Sequence, residues 1–166
     1  MLSSLFRGDR LGKQAAYRKR MTTVDWVIPG KLAVGSLPRP GDSAILAKAK
    51  IQVIFSLCAP TEGSLPPDVR KQFYCGNLVL PDSHWKHPIR VEQLRRAVEV
   101  VHRSVEKNMP IYVHCLAGIE RSPLVCIAYL CCYQNLQLQD ALTWVKQVHP
   151  RTMPTRDQLN VIKQLL

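Results

Sequence analysis

Apolar residues along this chain follow two rhythms that take turns. Short dense runs are bounded by turn residues, and longer stripes repeat at three- and four-residue spacing. Leu32 to Ser36 predicts a first strand, stopped by Leu37-Pro38-Arg39-Pro40-Gly41. Asp42 or Ser43 can cap a short helix through Ala49. Ile51 to Leu57 is nearly continuous and rich in β-branched residues, as expected of a strand covered on both faces. A loop rich in Pro, Gly and Ser follows from Cys58 to Pro67, and Phe73 to Leu80 predicts a third strand, interrupted at Gly76 and Asn77. Pro88 opens a long helix with Val91, Leu94, Val98, Val101 and Val105 on one face. Ile111, Tyr112 and Val113 form a short buried strand. Three helices come after it. The first, Ser122 to about Gln134, is apolar nearly all round and therefore buried. The second carries Leu138, Ala141, Leu142 and Val145 and ends before Pro150; the third starts at Thr155 and carries Leu159, Ile162 and Leu166.

Strands that alternate with helices predict an α/β fold, with a central, mainly parallel sheet of four to five strands flanked by helices. Ligands of such sheets gather beyond the carboxyl ends of the strands. Cys58, Asp82 and Cys115 each lie just past one of those ends.

Composition narrows the class. A chain of 166 residues with 46% hydrophobic content fits one domain with a real core. The longest uncharged apolar run, Pro123 to Tyr133, falls short of the roughly 20 residues a bilayer requires. The opening MLSSLFRGDRLGK has no apolar h-region, so no secretory signal is expected. Six cysteines (Cys58, Cys75, Cys115, Cys126, Cys131, Cys132) raise the question of disulfides. Three of them share one apolar helix, and the set is read as reduced, which makes the expected location cytoplasmic. The net charge of +11 is uneven: Arg7, Arg10, Lys13, Arg18, Lys19 and Arg20 face only Asp9 in the first stretch. This divides the chain into a basic arm over 1–23 and a folded domain over 24–166. A solvated arm is the default, against a helix in contact with an anionic membrane surface or an organelle-targeting peptide.

The candidate chemistry lies between Pro110 and Pro123, PIYVHCLAGIERSP. A bare Cys-x5-Arg spacing would arise by chance about once in two such chains, so alone it says little. Adding His114 before the cysteine, Gly118 in the loop and Ser122 after Arg121 reduces that chance to roughly one in ten thousand. Physical chemistry accounts for the pattern. A strand-to-helix loop turns successive N–H groups toward one point, and the helix start adds its positive end, making a cradle about the size of a phosphate. A cysteine at its floor is favoured as the thiolate. Arg121 can grip two phosphate oxygens with its planar fork. Gly118 allows a backbone turn or close approach, and Pro123 suits a first helical turn.

This stretch resembles the signature loop of the cysteine-dependent protein phosphatases, in particular the small atypical dual-specificity members. Trp26-Val27-Ile28-Pro29-Gly30-Lys31-Leu32-Ala33 with Leu37-Pro38-Arg39 is similar to that family's entry strand, and Leu80-Pro81-Asp82 to its acid loop. The resemblance runs from about Trp26 onward and implies a protein tyrosine/dual-specificity phosphatase fold over 24–166. It also implies a two-step phosphomonoester hydrolysis through a phosphocysteine intermediate, with no cofactor. Cys115 would be the nucleophile, with Arg121 and the amides of Leu116, Ala117, Gly118, Ile119 and Glu120 holding the phosphate oxygens. Asp82, 33 residues before Cys115, would be the acid; the competing reading is a turn aspartate. Glu120 is similar to a residue of the rhodanese-type cell-cycle phosphatases, but Asp82 and Gly118 point away from them. Ser122 would hydrogen-bond the sulfur, or else serve as helix N-cap. His114 would orient the loop from beneath. Gln158 would position water, although Thr155-x-x-Gln158 is also a capping box, the preferred reading. Cys58 could form a reversible disulfide with Cys115, with a small buried residue as the favoured alternative. His84 and His87 lack a third ligand nearby, so no metal site is expected; with Trp85 and Lys86 they should stand at the pocket mouth.

The expected partner is a phosphorylated protein, with phosphotyrosine and phosphoserine/threonine as substrates by resemblance. The loop contains no lysine and carries Glu120, which argues against polyphosphorylated inositol lipids. An RNA 5′-triphosphatase would suit the positive charge, but the basic residues form no patch interleaved with aromatics. A non-catalytic phosphate-binding module is the rival from a different class. Against it, nucleophile, arginine and acid are all present.

Overall fold

The structure is a computed structural model and describes residues 24–166. The basic arm predicted over 1–23 lies outside the described residues. Five strands form one sheet: β1 (Asp25–Ile28), β2 (Leu32–Ser36), β3 (Val53–Ser56), β4 (Tyr74–Asn77) and β5 (Ile111–Cys115). Their order is β1-β2-β5-β3-β4. All neighbours are parallel except β1, which pairs antiparallel with β2. The helices are α1 (Ser43–Lys48), α2 (Pro67–Gln72), α3 (Val91–Glu106), α4 (Arg121–Tyr133), α5 (Leu138–Val148) and α6 (Arg156–Leu165). This is the mainly parallel α/β sheet that the sequence pattern predicts.

Strand β5 takes the centre because every one of its five residues is buried. Its side chains alternate between faces with period two. Ile111, Val113 and Cys115 join the larger core, which takes in residues of α3, α4, α5 and α6. Tyr112 joins the smaller core with Leu46 of α1 and Val69 of α2. Helix α4 is buried from Arg121 through Cys131, as its nearly continuous apolar sequence requires. Each fully buried aliphatic side chain there contributes about 1.5–3 kcal/mol over leaving it exposed.

The entry stretch and the third strand depart from the sequence reading. The residues from Trp26 to Ala33, similar to one entry strand, fall in two, with β1 folding back antiparallel on β2. The expected strand from Phe73 to Leu80 is ordered as a strand only over Tyr74–Asn77, with Gly76 and Asn77 inside it. The residues just before it form α2, whose Pro67 occupies the first turn. Gly35 is fixed by packing: a Cβ there would stand 2.1 Å from the Tyr112 hydroxyl, which donates to the Ser36 carbonyl at 2.8 Å.

Candidate active site

Residues 115–121 connect the end of β5 to the start of α4, and the path of this loop follows from where its carbonyls go. The Leu116 carbonyl accepts from Leu37 N–H at 3.2 Å, the Ile119 carbonyl from Met153 N–H at 2.8 Å, and the Glu120 carbonyl from Leu124 N–H at 2.9 Å. The Gly118 carbonyl lies 2.6 Å from His149 Nε2, and the Cys115 carbonyl 3.2 Å from His114 Nδ1. No peptide bond among the described residues is cis. In a trans peptide the N–H points opposite to its C=O. Holding these carbonyls from outside therefore turns the N–H groups of Leu116, Ala117, Ile119, Glu120 and Arg121 toward the inside of the loop, above Cys115. No side chain caps the N-terminus of α4, which leaves its first-turn amides open to an anion. Gly118 is required twice over. Its φ is +69°, and a Cβ would stand 2.8 Å from the Gly35 carbonyl carbon.

Cys115 is buried, with Sγ 3.3 Å from Ser122 Oγ. Ser122 also donates to the Gly35 carbonyl at 3.0 Å. One hydroxyl proton cannot serve both. With the thiol protonated, S–H donates to Oγ; with the thiolate, the hydroxyl turns to the sulfur. Ser122 lies at the second position of α4 and does not cap it, so the N-cap alternative falls away.

Arg121 is 1% exposed. Its Nη1 and Nη2 donate to Glu62 Oε2 and Oε1 at 2.9 and 2.6 Å, a bidentate pair. Nη1 also reaches the Leu80 carbonyl at 3.2 Å, and Nη2 lies 3.1 Å from Asp82 Oδ2. The buried Nε has no partner. Burial works against the charge on Arg121, yet the hydrogen bonds of Glu62 and the charges around it hold the guanidinium above its ordinary value. Glu62 is held below the usual carboxylate range, chiefly by Arg121, and its Oε2 also accepts from Ala59 N–H at 2.8 Å. The sequence reading missed Glu62. It stands alone in an irregular loop, and only that loop's position beside the central strand could have flagged it.

Asp82 combines its two readings. Oδ1 accepts from His84 N–H at 3.1 Å in a tight turn, while Oδ2 faces Arg121. His84, Trp85, Lys86 and His87 are exposed. Asp82, Trp85 and Lys86 line a groove of about 380 Å³ with Gln158 on its other side. Gln158 forms the expected capping box with Thr155 and also donates to Glu120 Oε2 at 3.2 Å. Burial pushes the His114 ring down to about 4, so it is neutral where its Nδ1 meets the Cys115 carbonyl. Cys58 is buried in the vicinity of Cys115 and is a free thiol; burial pushes it up to about 11, against the pull of Arg121. Among the described residues no group of three or more His, Cys, Asp or Glu could hold a metal ion.

The family model described as the dual specificity phosphatase catalytic domain matches residues 39–166. The chain belongs to this family. Among curated relatives, it is 28% identical over 122 residues to the phosphatidylglycerophosphate phosphatase PTPMT1 of Arabidopsis thaliana, covering 74% of this chain and 36% of that one. It is 27% identical over 141 residues to the dual specificity protein phosphatase Mpk3 of Drosophila melanogaster, covering 84% and 32%. The chain thus spans about a third of the length of either relative. The crystal structure of PTPMT1 in complex with PI(5)P shares the fold, with a TM-score of 0.74 at 17% identity, covering 87% of this chain and 94% of that one.

Proposed function

We propose that this protein hydrolyses phosphomonoesters in two steps through a phosphocysteine at Cys115. The observation that carries the reading is the set of loop carbonyls held outward, which turns the N–H groups inward, together with the buried, unpaired Nε of Arg121. Glu62 occupies the Nη1–Nη2 end of the guanidinium, so a phosphate is left the side edge, formed by the unpaired Nε and by Nη2, which also lies against Asp82. In the first step the Cys115 thiolate attacks phosphorus, the ester oxygen departs, and protonated Asp82 gives that oxygen its proton. Ser122 donates to the sulfur once it carries charge. In the second step Asp82 takes a proton from water, whose oxygen attacks phosphorus, and the Cys115 sulfur leaves as thiolate.

The leading substrates are phosphotyrosine and phosphoserine/threonine in proteins, a reading supported by membership of the dual-specificity family. A lipid phosphomonoester is the second reading. It is favoured by the similarity to a phosphatidylglycerophosphate phosphatase and to a protein solved with PI(5)P. The basic residues of 1–23 would suit an anionic lipid surface. A panel of phosphopeptides, phosphatidylglycerophosphate, phosphoinositides and 5′-triphosphate RNA, run beside Cys115→Ser, tests both. Preferred release of phosphate from peptides supports the leading reading, and preference for a lipid replaces it. Equal turnover by Cys115→Ser would remove the mechanism.

A further inference from the structure

A pair of side chains in contact with the loop backbone takes no part in the reaction above. His149 follows the last turn of α5 and is 4% exposed. Its Nδ1 lies 2.5 Å from Asp25 Oδ2 on the edge strand β1, and its Nε2 lies 2.6 Å from the Gly118 carbonyl oxygen. Both neighbours are acceptors. A carbonyl has no hydrogen to give, and a carboxylate gives one only when protonated. A neutral imidazole has a single N–H, so it would leave a lone pair facing an oxygen at one of these two short contacts. A ring with N–H on both nitrogens satisfies both, and Asp25 then supplies the opposite charge that a buried cation needs.

The peptide held this way matters to the cradle. The Gly118 carbonyl and the Ile119 N–H belong to one peptide plane, so fixing the first outward fixes the second inward. The next plane is held from the same segment, by Met153 N–H on the Ile119 carbonyl. The anchor is itself built in: Trp144 Nε1 of α5 donates to the Val27 carbonyl of β1 at 2.9 Å, tying the two elements that carry His149 and Asp25. Asp25 lies outside residues 39–166, the part matched to the family.

We propose that Asp25 and His149 form a charged clamp that fixes the Gly118–Ile119 peptide and thereby sets the phosphate affinity of the cradle. His149 is a positioning residue: it acts through the loop backbone. The inference rests on the reading that this loop binds phosphate. Two measurements on the full chain test it. In ¹⁵N-labelled protein at neutral pH, both ring nitrogens of His149, assigned by their loss in His149→Gln, should resonate as N–H. A ring with one bare nitrogen would overturn the charged clamp. Orthovanadate should then bind about tenfold more weakly to His149→Gln and to the isosteric Asp25→Asn than to the native protein. A purely structural role would lower melting temperatures and leave vanadate affinity of the folded variants unchanged, which would overturn the inference. Failure of the native protein to bind vanadate would remove the phosphate-binding reading and the clamp with it. Native-like binding by both variants would remove the clamp alone.

Discussion

Of the five N–H groups on the Arg121 guanidinium, those on the two Nη atoms meet Glu62, Leu80 and Asp82, and the one on Nε meets nothing. That imbalance assigns different work to the two carboxylates. Glu62 is a permanent support, and Glu62→Gln keeps the shape while removing the charge. Breaking a buried ion pair from one side costs about 3–5 kcal/mol, so the variant should show a clear drop in denaturant midpoint. Its kcat/KM should fall by roughly two orders of magnitude as Arg121 loses its aim. Asp82 is half-buried, and in the proposed mechanism it has to let go of Arg121 to reach a leaving group. Asp82→Asn should reduce kcat by about 10²–10⁴ for an alkyl or peptide phosphate. It should also change the pH–rate profile. An unchanged profile would place the acid elsewhere.

Strand β5 brings two chemistries to one point because its side chains alternate. Cys115 faces the larger core and the loop, while His114 is buried and neutral beneath it. The unfolded chain takes up a proton at His114 near its ordinary 6.5, the folded one only near 4. Stability should therefore fall as pH drops from 6.5 toward 4, by up to about 3 kcal/mol from this residue. Glu62 adds a loss of its own from 4.5 downward, because its folded carboxylate resists protonation. Urea titrations across this range should show the slope in the native protein and a flatter one in His114→Asn; equal slopes would contradict the burial argument. At this scale the sequence was readable wherever a pattern repeats. The stripe of α3 and the all-round apolar α4 announced themselves, since periodicity reports burial directly. Strand β4 was expected over Phe73 to Leu80 but is shorter: its four residues are all exposed and lie at the sheet edge, where no core imposes alternation to mark its ends.

For the molecule as a whole, the motif stretch was legible because its chemistry is local: Cys115, Gly118, Arg121 and Ser122 stand within eight residues. What surrounds it was not. Glu62 and His149 reach the loop across 59 and 31 residues, Asp25 reaches His149 across 124, and no spacing rule links them. Tertiary structure alone brings such partners together. Substrate choice belongs to this scale too, since the groove beside Asp82 and the exposed Trp85 and Lys86 lie outside the ring itself. The ring, however, makes one demand that is independent of substrate. In the proposed mechanism phosphorus passes through a bond to sulfur. Rapid acid quench of the native protein during turnover of a ³²P-labelled phosphomonoester tests this most directly. Label retained on the protein and mapped to Cys115, and absent from Cys115→Ser, is the predicted result. Turnover with no labelled protein at any time, or label on another residue, would contradict the account.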